Sequence, residues 1–373
     1  MKRILHVIEG MNAGGMETMI MNYYRNIDRN KFQFDFLINC KEPVFYEKEI
    51  NRLGGHIYRN TLPKHNIFKN RLEIRKLFKN KKYDVIHCHQ GITYYYPLKA
   101  AKKYKIKTRI IHNHGINRTF LKYLFLYNQL WARKRISSLG NKYISCSKDV
   151  LDHIFSDDII RNHKYIILPN AIDIENFKYK ESARKKIRKE FNIDDEIVFV
   201  HVGTFTTPKN HSFLLDVFKK YSMINKNAKL LLVGSGPLKQ DIINKAKELN
   251  ILSNLIFAGV RSDVNDILSA CDIMLFPSLY ESFGIVALEA QAAGLPVIIS
   301  DQFPKDILLT DSINMTPLDV DLWVKKIKNT KLNIDRKNYN SILCNSDFNI
   351  KNSVKILEKI LLSAERGYRY DKS

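Results

Sequence analysis

Short apolar runs alternate with amphipathic stretches along almost the whole chain. The runs Ile4–Ile8, Phe34–Ile38, Val85–Cys88, Arg109–His112, Tyr143–Cys146 and Ile166–Leu168 read as strands. A second series follows at Ile197–Val202, Lys229–Val233, Leu255–Phe257, Ile273–Phe276 and Pro296–Ser300. Each run is rich in β-branched, aromatic or other apolar residues, and most are followed by turn or polar residues. Strands separated by helical patterns of about ten or more residues build βαβ units and parallel sheets. Eleven strands overfill one sheet and predict two sheets of five or six. The break falls at Pro169-Asn170-Ala171-Ile172-Asp173, before the charged helix Glu181–Glu190. Residues 1–169 then form an N-terminal domain and 170–346 a C-terminal one. The tail Phe348–Ser363 sets Ile350, Val354, Leu357 and Leu361 at helical spacing. Two doubly wound domains facing each other would bind ligands in a cleft at the carboxyl ends of both sheets.

Composition supports a folded chain of two domains: 373 residues, 45% hydrophobic and 27% charged. No apolar stretch reaches the roughly 18–20 residues needed to span a bilayer. The start, Met1-Lys2-Arg3 and Ile4–Ile8, is cut off at Glu9, short of the roughly 7–15 apolar residues of a secretory core. Five scattered cysteines (Cys40, Cys88, Cys146, Cys271, Cys344) have no C-x-x-C spacing. They argue against a disulfide framework or zinc cage and for a reducing cytoplasm.

The net charge is +23, and its position is more informative than its size. Residues 51–150 hold 23 basic and 3 acidic side chains, residues 1–50 hold 7 of each, and 151–373 hold 31 against 28. A block of this kind suits a polyanion or an anionic membrane surface, or is simply a solvated face. Signatures of RNP, zinc-finger or helix-turn-helix modules are not apparent, so a nucleic-acid reading rests on charge alone.

Candidate chemistry sits where predicted strands end. After the first strand comes Gly10-Met11-Asn12-Ala13-Gly14-Gly15-Met16-Glu17. Glycines at a strand-to-helix junction let backbone N–H groups approach an anion. The loop is neither a P-loop, which needs Lys and Ser or Thr after its glycine, nor a G-x-G-x-x-G fingerprint. In the second half, Glu281-Ser282-Phe283-Gly284 precedes a helix Ile285–Ala293 carrying Glu289. Glu281 lies in the loop before this helix and Glu289 about one turn inside it. Both can face a ligand whose anionic part rests on the helix N-terminus, each accepting from vicinal hydroxyls. The competing reading makes both solvated surface acids. Gly203-Thr204-Phe205-Thr206-Thr207-Pro208-Lys209-Asn210, Gly234-Ser235-Gly236-Pro237, and Gly259 with Asp263 follow other strands of the same half. Lys209 would meet phosphate oxygens as a point charge.

In order and spacing, these motifs resemble the retaining GT-B glycosyltransferases of sequence family 4, in their bacterial capsular or exopolysaccharide form. The likeness covers nearly the whole chain. It includes Gly14-Gly15-x-Glu17, Asn113-His114-Gly115, Pro169–Asp173, Gly203…Lys209-Asn210, Gly234–Pro237 and the Glu281/Glu289 pair. The resemblance implies GT-B architecture: two Rossmann-like domains, an N-terminal acceptor side and a C-terminal nucleotide-sugar side. Residues 347–373 would carry a helix packing back toward the N-terminal domain. It implies that Glu289 holds ribose hydroxyls and Glu281 hydroxyls of the transferred sugar. Lys209 would neutralise the diphosphate, with backbone N–H groups around Phe283, Gly284 and Ile285, and Gly203 is a further donor-binding residue. Gly15 would approach the donor phosphates, and His114 the sugar near its reacting face. His114, Glu281 and Lys209 are thus the catalytic candidates. No cofactor and no metal are implied, the nucleotide-sugar being a substrate, with a UDP-sugar expected.

One departure stands out. The family's Arg after the loop glycine is Thr204 here, whose hydroxyl cannot replace a bidentate phosphate clamp. Arg261 is one candidate substitute. The implied reaction is retaining transfer to a saccharide or lipid-linked acceptor, with the leaving diphosphate taking the acceptor's proton. The alternatives are a nucleic-acid binder or a GT-B sugar-nucleotide epimerase. The stretch Thr119–Arg135 places Phe120, Leu124, Tyr127 and Trp131 on one helical face, either docking on anionic lipid or packing in the core.

Overall fold

The computed structural model describes residues 1–62, 65–89, 95–114, 134–148, 151, 155–332 and 336–363. Two compact units emerge: Met1–Ala171 together with the C-terminal segment from Ile350, and Ile172–Asn349. The division therefore falls two residues beyond position 169 and three beyond position 346.

The first unit runs β1 (Lys2–Ile8), α1 (Gly15–Asn26), β2 (Phe32–Ile38), α2 (Glu47–Arg52), β3 (Ile57–Arg59), α3 (Ile67–Asn80), β4 (Val85–Cys88), α4 (Tyr95–Lys103), β5 (Thr108–Asn113), β6 (Lys142–Ser145), α5 (Asp157–Arg161) and β7 (Ile166–Ile167). Its strands form one parallel sheet in the order β3-β2-β1-β4-β5-β6-β7. Both faces are covered, which is why the strands read as nearly continuous apolar runs. On one face Leu5, Val7, Ile86, Cys88 and Ile111 pack with Ile74 and Phe78 of α3 and Leu98 of α4. The alternate positions face the other side, where Ile4, Phe34 and Phe36 are fully buried and Tyr24 of α1 stacks on Phe34 at 4.9 Å.

The second unit contains α6 (Glu181–Glu190), β8 (Ile197–Val202), α7 (His211–Ser222), β9 (Ala228–Val233), α8 (Lys239–Glu248), β10 (Leu255–Gly259), α9 (Val264–Ala270), β11 (Ile273–Phe276), α10 (Ile285–Ala292), β12 (Val297–Ser300), β13 (Ile313–Thr316), α11 (Val320–Asn329) and α12 (Arg336–Cys344). Its sheet is also parallel, in the order β10-β9-β8-β11-β12-β13. One core layer joins Leu230, Leu232 and Ile298 of the sheet to Leu214 and Phe218 of α7 and Trp323 of α11. The Trp323 indole donates to the Pro317 carbonyl at 2.9 Å, so its one polar group is satisfied in the core.

The last helix, α13 (Ile350–Leu362), packs along α1 in the first unit. Lys2 Nζ donates to Leu361 O at 2.9 Å, and Lys142 Nζ donates to Ile360 O at 2.5 Å and Ser363 O at 2.7 Å. These ammonium groups satisfy carbonyls that the helix C-terminus leaves open.

Two strands escape the sequence reading, β3 and β13, which raises the sheets to seven and six strands among the described residues. Both are short edge strands, and Ile313-Asn314-Met315-Thr316 is half polar. Their conformation comes from pairing with β2 and β12 rather than from an apolar run. Counted from its own first strand, each sheet runs 3-2-1-4-5-6 over six strands. The order reverses between β1 and β4 and between β8 and β11. In such sheets ligands bind at that reversal, outside the carboxyl ends. Among the described residues, no helix is long and apolar enough to cross a membrane.

Candidate active site

In the second unit the reversal point gathers the loops after β8 and β11. The chain leaves Val202 through Gly203 and turns over Thr207–Lys209 into α7. The β11 loop runs alongside it, with the Leu279 N–H donating to the Pro208 carbonyl at 2.8 Å. Lys209 and Glu281 meet there: Lys209 Nζ donates to Glu281 Oε2 at 2.5 Å, both side chains being largely buried. The ammonium also lies 4.8 Å from the centroid of the Phe276 ring, whose π face attracts a cation. The two groups expected on the diphosphate and the sugar thus pair with each other.

Gly284 caps α10 with φ +81°. A Cβ there would lie 2.4 Å from the Phe303 ring and 3.2 Å from Glu281 Cγ. The glycine is therefore demanded by packing and backbone conformation, beyond any approach of a ligand. Phe283 and Ile285 are buried, and Phe283 stacks on Phe348 at 5.5 Å. Their side chains anchor the turn, leaving the first N–H groups of α10 to an anion. Glu289, one turn further on, is only 5% exposed, and burial pushes its carboxyl up to about 8. The reading of Glu289 as a solvated surface acid is excluded.

Gly203 sits beneath Lys209: a Cβ on it would meet Lys209 Cδ at 3.5 Å. Gly234, with φ +133°, brings the β9 loop so close that a Cβ would fall 2.0 Å from the Gly203 carbonyl oxygen. Its role is to dock one strand-end loop on another. Thr204 is exposed, and Arg261 does not take the place of the absent arginine. The Arg261 fork is spent on Glu190, at 2.6 and 3.1 Å, and Asp263, at 2.8 and 2.7 Å. A pocket lined by Arg184, Arg188, Asp272 and Pro296 lies at the amino ends of β8, β11 and β12, away from the ligand side. Arg184 and Arg188 are tied there to Asp272 and to the Ala270 carbonyl.

In the first unit Gly15 opens α1 and is exposed. The Glu17 carboxylate folds over the preceding Gly14, where a Cβ would lie 2.3 Å from it. Glu17 itself is pushed up to about 7, chiefly by burial. His114 follows β5 and is lowered to about 3 by burial, against a smaller opposing effect of Asn170. Its ring is therefore neutral and offers one donor and one acceptor.

His114 is the end of a histidine array that the motif reading overlooked. His6 of β1, His87 and His89 at the end of β4, and His112 of β5 share the sheet face opposite Leu5 and Ile86. His6 Nδ1 lies 2.8 Å from His89 Nε2, His89 Nδ1 2.8 Å from His114 Nε2, and His87 Nε2 3.1 Å from His112 Nδ1. Desolvation holds all five rings below the usual histidine range. The available signal was the repeated H-x-H, His87/His89 and His112/His114, whose period of two puts both members on one strand face.

The structure thus gathers Gly203, Lys209, Glu281 and Gly284 into one group, with Glu289 buried on the adjoining helix. Gly15 and His114 belong to the other unit. Gly115, and residues 119–133 of the basic aromatic stretch, lie outside the described residues.

Two family descriptions match the chain: Glycosyltransferase Family 4 over residues 13–176 and Glycosyl transferases group 1 over 183–328. EpsF of Bacillus subtilis, described as a glycosyltransferase, is 32% identical over 310 residues, covering 82% of this chain and 81% of its own. The chain belongs to the family 4 glycosyltransferases. An Escherichia coli relative, UDP-Gal:alpha-D-GlcNAc-diphosphoundecaprenol alpha-1,3-galactosyltransferase, is 27% identical over 352 residues and 88% of each chain. Anabaena HepE, solved in complex with UDP, superposes with a TM-score of 0.79 at 17% identity, over 97% of this chain and 99% of that one. That likeness shows the GT-B fold. The glycosyltransferase is therefore an enzyme, and the nucleic-acid-binding and epimerase alternatives are not favoured.

Proposed function

We propose that this glycosyltransferase moves a hexose, with retention, from a UDP-sugar to a lipid-diphosphate-linked saccharide during cell-surface polysaccharide synthesis. The observation that carries the reading is the Lys209–Glu281 pair at the sheet reversal, beside the N-terminus of α10. The named activity of the E. coli relative supports the donor and acceptor classes.

In this reading the donor diphosphate draws Lys209 away from Glu281 and rests on the first N–H groups of α10. The released Glu281 carboxylate accepts from hydroxyls of the transferred sugar, and Glu289 from those of the ribose. As the anomeric bond breaks, negative charge grows on the leaving diphosphate, where the ammonium and helix N-terminus stabilise it. We assign no metal to that role. The departing phosphate oxygen takes the proton of the acceptor hydroxyl on the same face, so no enzymic general base is needed. The resemblance assigns His114 to the donor sugar and Gly15 to the donor phosphates, and we keep both assignments in the proposal. Positioning supplies the remainder of the acceleration.

The enzyme acts at the inner face of the plasma membrane in this proposal. The net +20 of residues 51–150 supports it, as does the outer face of α3. Phe68 and Leu72 are 79% and 66% exposed there, and Arg75 and Lys79 continue the same face. Apolar and basic side chains on one helical face suit an anionic lipid surface.

Thermal unfolding with UDP- and GDP-sugars tests the donor, because a ligand bound only to the folded state raises its melting temperature. One UDP-sugar is expected to protect the wild type and not Glu289→Ala. Full protection of that variant overturns the ribose assignment.

A further inference from the structure

We propose that α3 and α4 form a headgroup site for one anionic phospholipid, a discrete receptor within the membrane face described above and resting on that reading. The two helices pack side by side in the first unit, with a groove of about 250 Å³ between them. Its walls include Arg71 and Arg75 of α3 and Tyr95, Tyr96, Lys99 and Lys103 of α4. Four cations share one opening, and no carboxylate lines it. Residues 67–107 hold 12 basic and 2 acidic side chains, and both acids are engaged elsewhere. Glu73 accepts from the Thr61 N–H and hydroxyl at 2.7 and 3.1 Å, and Asp84 from the Arg3 N–H at 2.9 Å. Among the described residues the four groove cations meet no acid, so the counter-charge has to come from a ligand.

Aromatic side chains hold these cations in place, which a merely solvated charge run does not do. Arg71 lies over the Tyr96 ring at 5.2 Å, and Arg75 Nε donates to the hydroxyl of the same tyrosine at 2.8 Å. Lys99 lies 5.9 Å from the centre of the Tyr95 ring. Neither arginine contact uses the outer guanidinium N–H groups, which suit phosphate oxygens in pairs. The neighbouring surface defines the rest of the ligand. Phe68, Arg71, Leu72 and Arg75 recur at i, i+3, i+4 and i+7, so apolar and cationic side chains alternate on one face of α3. Phe68 and Leu72 are exposed there. A free phosphate has no use for them, whereas a phospholipid carries its anion and its hydrocarbon together. The groove is smaller than the roughly 300–1,000 Å³ of a site for a whole drug-sized ligand, and suits a headgroup whose acyl chains stay outside.

The test titrates the full chain with monomeric dihexanoyl phosphatidylglycerol by calorimetry, with dihexanoyl phosphatidylcholine and inorganic phosphate as the other arms. One equivalent of the glycerol lipid is expected to bind. The choline lipid lacks net charge and phosphate lacks an apolar part, so each should bind at least about tenfold more weakly. Arg71→Lys keeps the charge and loses the fork, and should weaken lipid binding about tenfold or more. Tyr96→Phe keeps the ring and releases Arg75, and should weaken it about 3–10-fold. Lys82→Gln removes a charge outside the groove and should stay within about twofold of wild type. Circular dichroism checks folding; Arg71 and Lys82 are exposed, so their comparison stands even where Tyr96→Phe unfolds. Arg71→Lys binding no worse than Lys82→Gln, or phosphate binding as tightly as the lipid, overturns the site. Wild type that sediments with anionic vesicles yet binds no monomeric lipid also overturns it, and leaves the membrane reading standing. Stoichiometric lipid binding without vesicle binding supports the site and removes the membrane reading.

Discussion

Glu289 carries opposite demands of stability and function. Its carboxyl is ordinarily near 4.5 in an unfolded chain and is raised to about 8 by burial in α10. Between those values the folded state binds the extra proton, so stability falls as pH rises from about 4.5 to about 8 and then levels. Glu289→Gln removes that penalty without changing shape. We expect it to melt about 2–4 °C above wild type at pH 8, with the gap narrowing toward pH 5, while donor protection disappears. In the proposed binding mode ribose hydroxyls donate to the ionised form, so donor affinity in the wild type should rise by up to about tenfold per pH unit below pH 8. A flat calorimetric profile from pH 6 to 8 contradicts this. Lys209→Met should lower kcat/KM about 10²–10³-fold, the usual cost of losing a group that stabilises developing negative charge. Lys209 and Glu281 were both legible as strand-end residues, because charge beside glycine stands out locally. Their mutual ion pair was not, since 72 residues separate them.

Helices show the same division between local and long-range causes. The start of α10 was legible from Gly284, and its first residue Ile285 was placed correctly. The reason for the glycine was not legible, because Phe303 arrives from beyond β12. Gly284→Ala should cost about 2–4 kcal/mol through positive-φ strain and overlap with that ring, measured as a lowered urea midpoint. In α3, Asn70, Ile74 and Phe78 face inward, so Phe68 and Leu72 are left outside. Replacing both by serine should leave the fold intact. It should reduce co-sedimentation with phosphatidylglycerol vesicles at low salt by at least about threefold, if burial of two apolar side chains contributes as in other interfacial helices. Equal recovery of wild type with anionic and neutral vesicles removes the membrane proposal.

Across the molecule, the charge and the sheets describe different parts of the task. The two sheets share one strand order, yet residues 51–150 of the first unit carry nearly the whole excess of +23. The second unit, where Lys209 and Glu281 meet, is close to neutral in composition. Charge therefore belongs with the acceptor side in the proposed reaction, and nucleotide recognition rests on one paired lysine and a helix N-terminus. The proposal expects raised salt to weaken acceptor or vesicle binding more than UDP-sugar binding, since exposed charges are screened and the largely buried Lys209 is screened less. Equal salt dependence of the two would contradict that division.

The α/β class, every strand among the described residues except β3 and β13, and the helix bounds Glu181–Glu190 were readable from the chain because hydrophobic period and turn residues act over a few neighbours. Edge strands β3 and β13 depend on a partner strand and carry little such signal. The commitment of Arg261 to Glu190 and Asp263, the packing of Gly284 on Phe303 and the burial of Glu289 all came from folding. So did the histidine array, assembled from β1, β4 and β5 across more than a hundred residues. Parallel pairing is the physical reason: it sets side by side strands that the chain keeps far apart, and a local pattern holds no record of which neighbour each strand will take.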